Sequence, residues 1–408
     1  RYEVESMTLF DADQDGDLDL YLVSGGNQFE AGSELYNDRL LINDGYGNFV
    51  NDLKRIPNLN SNGCVVRPID YDSDGDIDLF IGGHNKPGAF PLADKSYLLN
   101  NNNGNFEDFT NAVLPDLDQF GLVTDAQWAD LNNDRREDLI LVGEYSPVAI
   151  FLNLNSGFQR LSSKTLDESM GLWRCIEVVD FDDDGDLDLL LGNLGKNNML
   201  SVSPETPLII STRDLDKNGS VDPLMFNSQQ NKNGEWDMFP VQFWDNLTQQ
   251  SPLFRKEFNS YHAFSKANMN YYQEKEYLIK DSLLSAKYDT SKWLENLGSN
   301  TFKLNTLPDP LQLGPINDFL VIETAQDQSV FVIGNDFGGP PFEGNFDAFQ
   351  GAIINTNNMG NKKVLEARDS GFHVFGDARE ISSIRMLNGK TLILVTQNQR
   401  RLLAFEKK

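Results

Sequence analysis

The sequence predicts an all-β fold: a seven-bladed β-propeller whose strands are joined by acidic turns and whose ring is interrupted by a mostly helical segment. Three observations carry this. An aspartate-rich turn recurs five times, each copy lies between short runs of strand-forming residues, and two further strand–turn–strand units follow without the acid.

The first copy, "DADQDGDLDLYLV", starts at Asp11. It returns as "DYDSDGDIDLFIG" at Asp70, "DLNNDRREDLILVG" at Asp130, "DFDDDGDLDLLLG" at Asp180 and "DLDKNGSVDPLMF" at Asp214. Alternating apolar residues precede the copies ("CVVRPI", "AQWA", "CIEVV") and apolar runs follow them, which reads as strand, tight turn, strand. Outer hairpins with Asn/Gly turns come next: "LLINDGYGNF", "YLLNNNNGNF" and "IFLNLNSGF". Four strands in roughly 50 to 60 residues is the size of one blade.

Residues 1–225 are thus expected to form blades one to five. Residues 226–301, rich in Leu, Lys, Glu, Tyr and Phe at helical spacings, form the insertion. Residues 302–408, with plain units starting at Gly314 and Gly376, form blades six and seven. A closed ring of seven leaves no exposed sheet edge.

Composition limits the function. Hydrophobic residues at 39% and aromatics at 11% are those of a folded chain, so the acidic stretches are not a disordered tail. A formal charge of −28 opposes binding to nucleic acid or anionic membranes and favours metal cations as partners. No apolar run approaches the roughly 20 residues of a membrane helix. The chain opens within an apparent strand, so removal of an upstream segment is expected.

In DxDxDGxxD, side chains at positions 1, 3 and 5 turn inward, position 7 offers its carbonyl, Gly at position 6 permits the sharp turn, and a further carboxylate closes the shell. This arrangement suits a hard cation such as Ca²⁺. An EF-hand would close at position 12, but that position is Leu22, Ile81, Leu141 or Leu191, within a strand. The closing ligand is therefore expected at position 9.

The predicted sets are Asp11, Asp13, Asp15, Asp17 and Asp19; Asp70, Asp72, Asp74, Asp76 and Asp78; and Asp180, Asp182, Asp184, Asp186 and Asp188. The degenerate sets are Asp130, Asn132, Asp134, Arg136 and Asp138, and Asp214, Asp216, Asn218, Ser220 and Asp222. Position 7 enters each through its backbone oxygen. Arg135 replaces the glycine of the third turn, and with Arg136 it opposes a cation, so the occupancy of that turn stays open. Three to five structural Ca²⁺ ions are expected.

The acidic turn followed by an N-x-G-x-F hairpin resembles the FG-GAP/VCBS repeats of integrin α-subunit propellers and of many bacterial surface proteins. The segments "NLGKNN", "LIISTRDLDKNGSVDPLMF", "FWDNLTQQSPLFRKEFNSYHAF" and "GNDFGGPPFEGNFDAFQGAIINTN" resemble the C-terminal propeller of large Bacteroidota VCBS-repeat proteins related to the cartilage acidic protein family. The resemblance implies an extracellular or cell-surface setting, with the bacterial outer membrane as one location, and calcium affinities of about 10⁻⁴ to 10⁻³ M. It says little of function, because the fold hosts adhesins, receptors and a few polysaccharide lyases.

Cys64 and Cys175 are expected on equivalent inner strands of non-adjacent blades, too far apart for a disulfide. A protein or glycan partner is expected on the face opposite the acidic turns, with the insertion as a lid or docking element. Candidate contacts are Asn27, His84, Asn85, Lys86, Tyr145, Asn193, Lys196, Asn197, Asp336, Phe342 and Arg400. No catalytic residue is assigned, since the three histidines, His84, His262 and His373, lack a triad or zinc motif. The alternative function is a calcium-dependent polysaccharide lyase using His84 with Lys86 or Lys196.

Overall fold

Alternation of apolar and polar residues on both sides of each acidic turn produces short antiparallel strands, and these strands carry most of the regular structure. The computed structural model describes residues 2–154, 156–231, 233–323, 327–339, 344–357 and 362–406. The fold is all-β, with seven antiparallel sheets and a few short helices among the described residues.

The first sheet comprises Val4–Phe10, Asp19–Ser24, Arg39–Asn43 and Phe49–Asn51, and the second Gly63–Ile69, Asp78–Gly83, Tyr97–Asn102 and Asn105–Asp108. The third is built on Leu122–Ala129, Asp138–Ser146, Ala149–Leu154 and Gly157–Arg160. The fourth takes Cys175–Val179 and Asp188–Gly192 from before the insertion, then Lys292–Asn296 and Phe302–Thr306 from after it. The fifth (Ile316–Glu323 to Lys362–Glu366) and the three-stranded sixth (Ala378–Arg385 to Leu403–Glu406) follow.

First strands of successive sheets pack side by side, from Val4–Phe10 through Gly63–Ile69, Leu122–Ala129, Cys175–Val179 and Ile316–Glu323 to Ala378–Arg385. Between each pair of sheets lies one apolar cluster. Tyr21, Val23 and Leu40 meet Val66 and Ile81, for example, and Phe331 and Ile333 meet Ile381 and Val395. Burial of each such side chain contributes about 1.5 to 3 kcal/mol, so lateral packing of sheets is the main source of stability.

The fifth acidic turn does not belong to this succession. It joins Leu208–Ser211 to Met225–Gln230 in a separate sheet with Trp236–Pro240 and Leu283–Ala286. Four short helices, the first Trp244–Gln250 and the last Met269–Glu274, pack on that sheet around Phe226, Phe254, Phe258 and Tyr272. The inserted unit is thus a mixed sheet-and-helix body placed between the second and third strands of sheet four. The expected boundaries at 226 and 301 differ from the observed ones because an acidic turn reports only a local hairpin, whereas membership of the row of packed sheets depends on lateral packing. The sequence held a signal for the true arrangement: "WLENLGSNTF", from Trp293, repeats the outer-hairpin pattern and completes sheet four.

One flank of sheet one is uncovered. Met7 stands where Val66, Ala126 and Ile176 stand in the next three sheets, pairing with Leu22 as they pair with Ile81, Leu141 and Leu191. Those three are at most 1% exposed, whereas Met7 is 66% exposed. Val66→Ala is expected to cost about 1 to 3 kcal/mol in urea unfolding and Met7→Ala less than about 0.5, because only Val66 is packed. Equal costs would show that the two flanks are covered alike.

Candidate metal loops and the opposite face

All five turns share one backbone conformation. The residue at position 4 is left-handed in each, with φ between 60° and 64° at Gln14, Ser73, Asn133, Asp183 and Lys217. Position 6 is also left-handed. Gly16, Gly75, Gly185 and Gly219 lie at 92° to 97°, and Arg135 adopts 69° at the cost of its side chain's steric strain. The position 6 N–H donates to the first aspartate in every copy: to Asp11, Asp70, Asp130, Asp180 and Asp214 at 3.0, 3.2, 2.7, 3.0 and 2.8 Å.

Carboxylates converge in four of the turns. Ligand oxygens of Asp11, Asp13 and Asp15 lie within 4.8 Å of one another, as do those of Asp70, Asp72 and Asp78, of Asp180, Asp182 and Asp188, and of Asp214, Asp216 and Asp222. Asp19 in the first turn and Asp74 and Asp184 in the second and fourth fall outside these groups. Asp74 and Asp184 instead accept the N–H of Asp76 and Asp186, both at 2.9 Å. Ser220 N–H donates likewise to Asn218 at 2.7 Å. Buried oxygens without a hydrogen-bond partner occur at Asp11 Oδ1, Asp13 Oδ1 and Asp17 Oδ1 in the first turn and at Asp182 Oδ1 in the fourth. Such oxygens fit a bare divalent cation, since burying unpaired carboxylate oxygens is otherwise costly.

Position 9 has a second role that the sequence reading missed. Asp19, Asp78, Asp138 and Asp188 are fully buried. One oxygen of each accepts the N–H at position 2 (Ala12, Tyr71, Leu131 or Phe181), and the other accepts an N–H of the third strand (Asn43, Asn101, Asn153 or Asn296) at 2.7 to 2.9 Å. Burial pushes the Asp78 and Asp188 carboxyls up to about 7 and Asp138 up to about 6, with the backbone donors acting in the opposite direction.

The third-strand asparagine carries the connection onward. Asn101 Nδ2 donates to Ala12 O of the preceding sheet at 2.9 Å, Asn153 Nδ2 to Tyr71 O at 2.8 Å, and Asn296 Nδ2 to Leu131 O at 3.1 Å. Asn43, in sheet one, reaches only its own turn, at Leu18 O. A motif read as an Asn/Gly hairpin is therefore also a clip between sheets.

The third turn differs electrostatically. Arg136 reaches Asp134 at 2.5 Å and donates through Nε to Asn153 O, so a guanidinium lies against the carboxylate that would bind a cation. In the inserted unit, Ser251 Oγ donates to Asp216 at 2.8 Å and ties the fifth turn to the helices.

At the opposite ends of the strands, the predicted partner residues separate into groups. Asn27 and Asn85 exchange amide hydrogen bonds at 2.8 and 3.3 Å and link two loops. His84 lies 3.9 Å from Glu144, and Lys86 is exposed. Tyr145 and Asn193 are buried, the first beneath the inserted sheet and the second bonded to Tyr288 O, so neither presents its side chain to a partner. Lys196 pairs with Asp309 at 3.4 Å, and Asn197 is exposed. Asp336 pairs with Arg174 and Arg379, and Arg400 lies over the Phe337 ring. Phe342 lies outside the described residues.

Between the first strands runs a cavity of about 550 Å³ lined by ionisable groups, among them Glu5, Arg67, His84, Asp125, Arg174 and Asp318. Arg67 holds Asp125 at 2.6 Å. Cys64 and Cys175 are free thiols whose ionisation burial opposes, and each donates to a backbone carbonyl. Among the described residues, no helix is long and apolar enough to cross a membrane.

No curated protein matches the chain. Among solved structures, the crystal structure of Saccharomyces cerevisiae Sqt1 aligns with 100% of this chain and 96% of that one, at 10% identity and a TM-score of 0.31. Residues 70–141 and 130–191 match the model of the FG-GAP-like repeat, so the second, third and fourth acidic turns lie in FG-GAP-like repeats.

Proposed function

We propose that this chain is a calcium-stabilised binding module of the extracellular or cell-surface space, which recognises a protein or glycan partner on the face opposite the acidic turns. The observation that carries the calcium reading is the set of buried carboxylate oxygens without partners in turns one and four, within converging aspartates. Asp11, Asp13 and Asp15, Asp70, Asp72 and Asp78, Asp180, Asp182 and Asp188, and Asp214, Asp216 and Asp222 would hold four ions. Each ion neutralises a turn whose charges otherwise repel, and the metal's role is structural.

Arg136 acts as a resident cation in the third turn, which takes no metal. The FG-GAP-like repeats and the acidity of the chain support the extracellular setting, where millimolar calcium suits such sites. A further sheet on the exposed Met7 flank would make the ring seven-bladed, and Asn43 would then clip to it as its counterparts clip to their neighbours. The partner face includes Lys86, Asn197 and Arg400, which are exposed. An outer-membrane complex is a fitting host for such a module.

Native mass spectrometry before and after chelation is expected to show the loss of four calcium ions. With 2 mM calcium and a Kd of about 0.1 mM, each filled site adds about 2 kcal/mol to stability, read as a higher Tm than in chelator. A Tm indifferent to chelator, with no calcium bound, overturns the reading. The double variant Arg135→Gly, Arg136→Asp restores the acidic pattern and should raise the calorimetric stoichiometry from four to five. A wild-type count of five would instead show that Arg136 yields to the metal.

A further inference from the structure

The inserted unit contains a cavity of about 1,080 Å³ that none of the acidic turns line. It exceeds the roughly 300 to 1,000 Å³ of most small-molecule sites, so its size suits an oligomer. Among the aromatic rings that line it are Phe243, Trp244 and Tyr261. Phe243 and Tyr261 are 53% and 55% exposed.

Two of these rings, Trp244 and Tyr261, are held in place by the residues around them. Trp244 and Tyr261 meet edge to face at 5.0 Å, Trp244 Nε1 donates to Phe254 O at 3.2 Å, and the Tyr261 hydroxyl donates to Asp245. Fixed rings lose little entropy when a ligand stacks on them.

Amides also line the cavity. Gln229 and Gln230 end the strand Met225–Gln230, and their side chains make no hydrogen bond among the described residues. The carboxylate of Asp237, which also lines the cavity, accepts from Asn268 at 2.6 Å. Among the described residues, Lys266 is the sole lysine or arginine of the lining, in a chain of charge −28. An anionic ligand is therefore disfavoured. A peptide adding as a strand would need the edge of Trp236–Pro240, but the helix Met269–Glu274 packs against that strand.

We infer that this cavity is a binding site for a neutral oligosaccharide, with Tyr261 and Trp244 stacking on the apolar faces of sugar rings and Gln229 and Gln230 bonding their hydroxyls. Aromatic faces attract the weakly positive C–H groups of a sugar ring, and side-chain amides both donate to and accept from hydroxyls. The inference goes beyond the module proposed above. It concerns the inserted unit and not the loop face, and it holds or fails independently of the calcium sites.

The test is titration of the calcium-saturated full chain with neutral hexaoses of glucan, mannan and xylan type, read by tryptophan fluorescence and calorimetry. At least one should bind, and Tyr261→Ala and Gln230→Ala should each weaken it at least tenfold with an unchanged Tm. Trp244 is partly packed, so the exposed Tyr261 and Gln230 keep the test independent of folding. Absence of binding by every neutral hexaose, binding indifferent to both substitutions, or preference for uronate oligomers or peptides at this site would each overturn the inference.

Discussion

The buried position 9 aspartate is the interaction on which the succession of packed sheets depends. Its two oxygens face different parts of a sheet, one the turn that precedes it and the other the third strand, so one side chain fixes turn, second strand and third strand together. Burial removes the water that would compete for these hydrogen bonds, and the backbone donors oppose the rise that burial imposes on the carboxyl. The asparagine anchored there reaches back to the preceding sheet. Local turn geometry is converted in this way into contact between sheets.

This arrangement explains why the acidic turns tolerate differences in composition. Turn three has lost its glycine and acquired two arginines, yet Arg135 and its neighbours keep the backbone of the other turns, because the fixed element is the set of N–H donors to Asp130 and Asp138. Charge balance can then be met by a guanidinium from within the chain. Sheets five and six lack acidic turns altogether and are held by apolar packing, with Phe331, Phe372 and Ile393 in one cluster.

The inserted unit shows how a repeat fold gains a second surface. It leaves and re-enters sheet four at strand ends opposite the acidic turn, where Leu122 and Tyr145 of sheet three pack against Leu208, Ile210 and Ala286. Its own aromatic core, with Phe226 and Tyr272 rings 5.2 Å apart, lets it hold a cavity without disturbing the packed sheets. The charged passage between first strands is lined differently, by ion pairs such as Arg67–Asp125, and burial pushes the nearby Glu177 carboxyl up to about 7.

By itself the sequence determined what depends on neighbours along the chain: the five turns, their aspartates, the strands beside them and the all-β class. Periodicity of two and the positions of Gly and Asp suffice for these, because a turn of nine residues closes on itself. Only the tertiary structure decided which hairpins stand in the succession of packed sheets, since that rests on contacts between residues as distant as Asn296 and Leu131. It also turned Asn101 into a clip, buried Tyr145 and Asn193 away from any partner, and gathered Trp244, Tyr261 and Gln230 around one cavity. Nothing in their local sequence marks these outcomes, because burial and proximity are properties of packed sheets and not of the chain segments that form them.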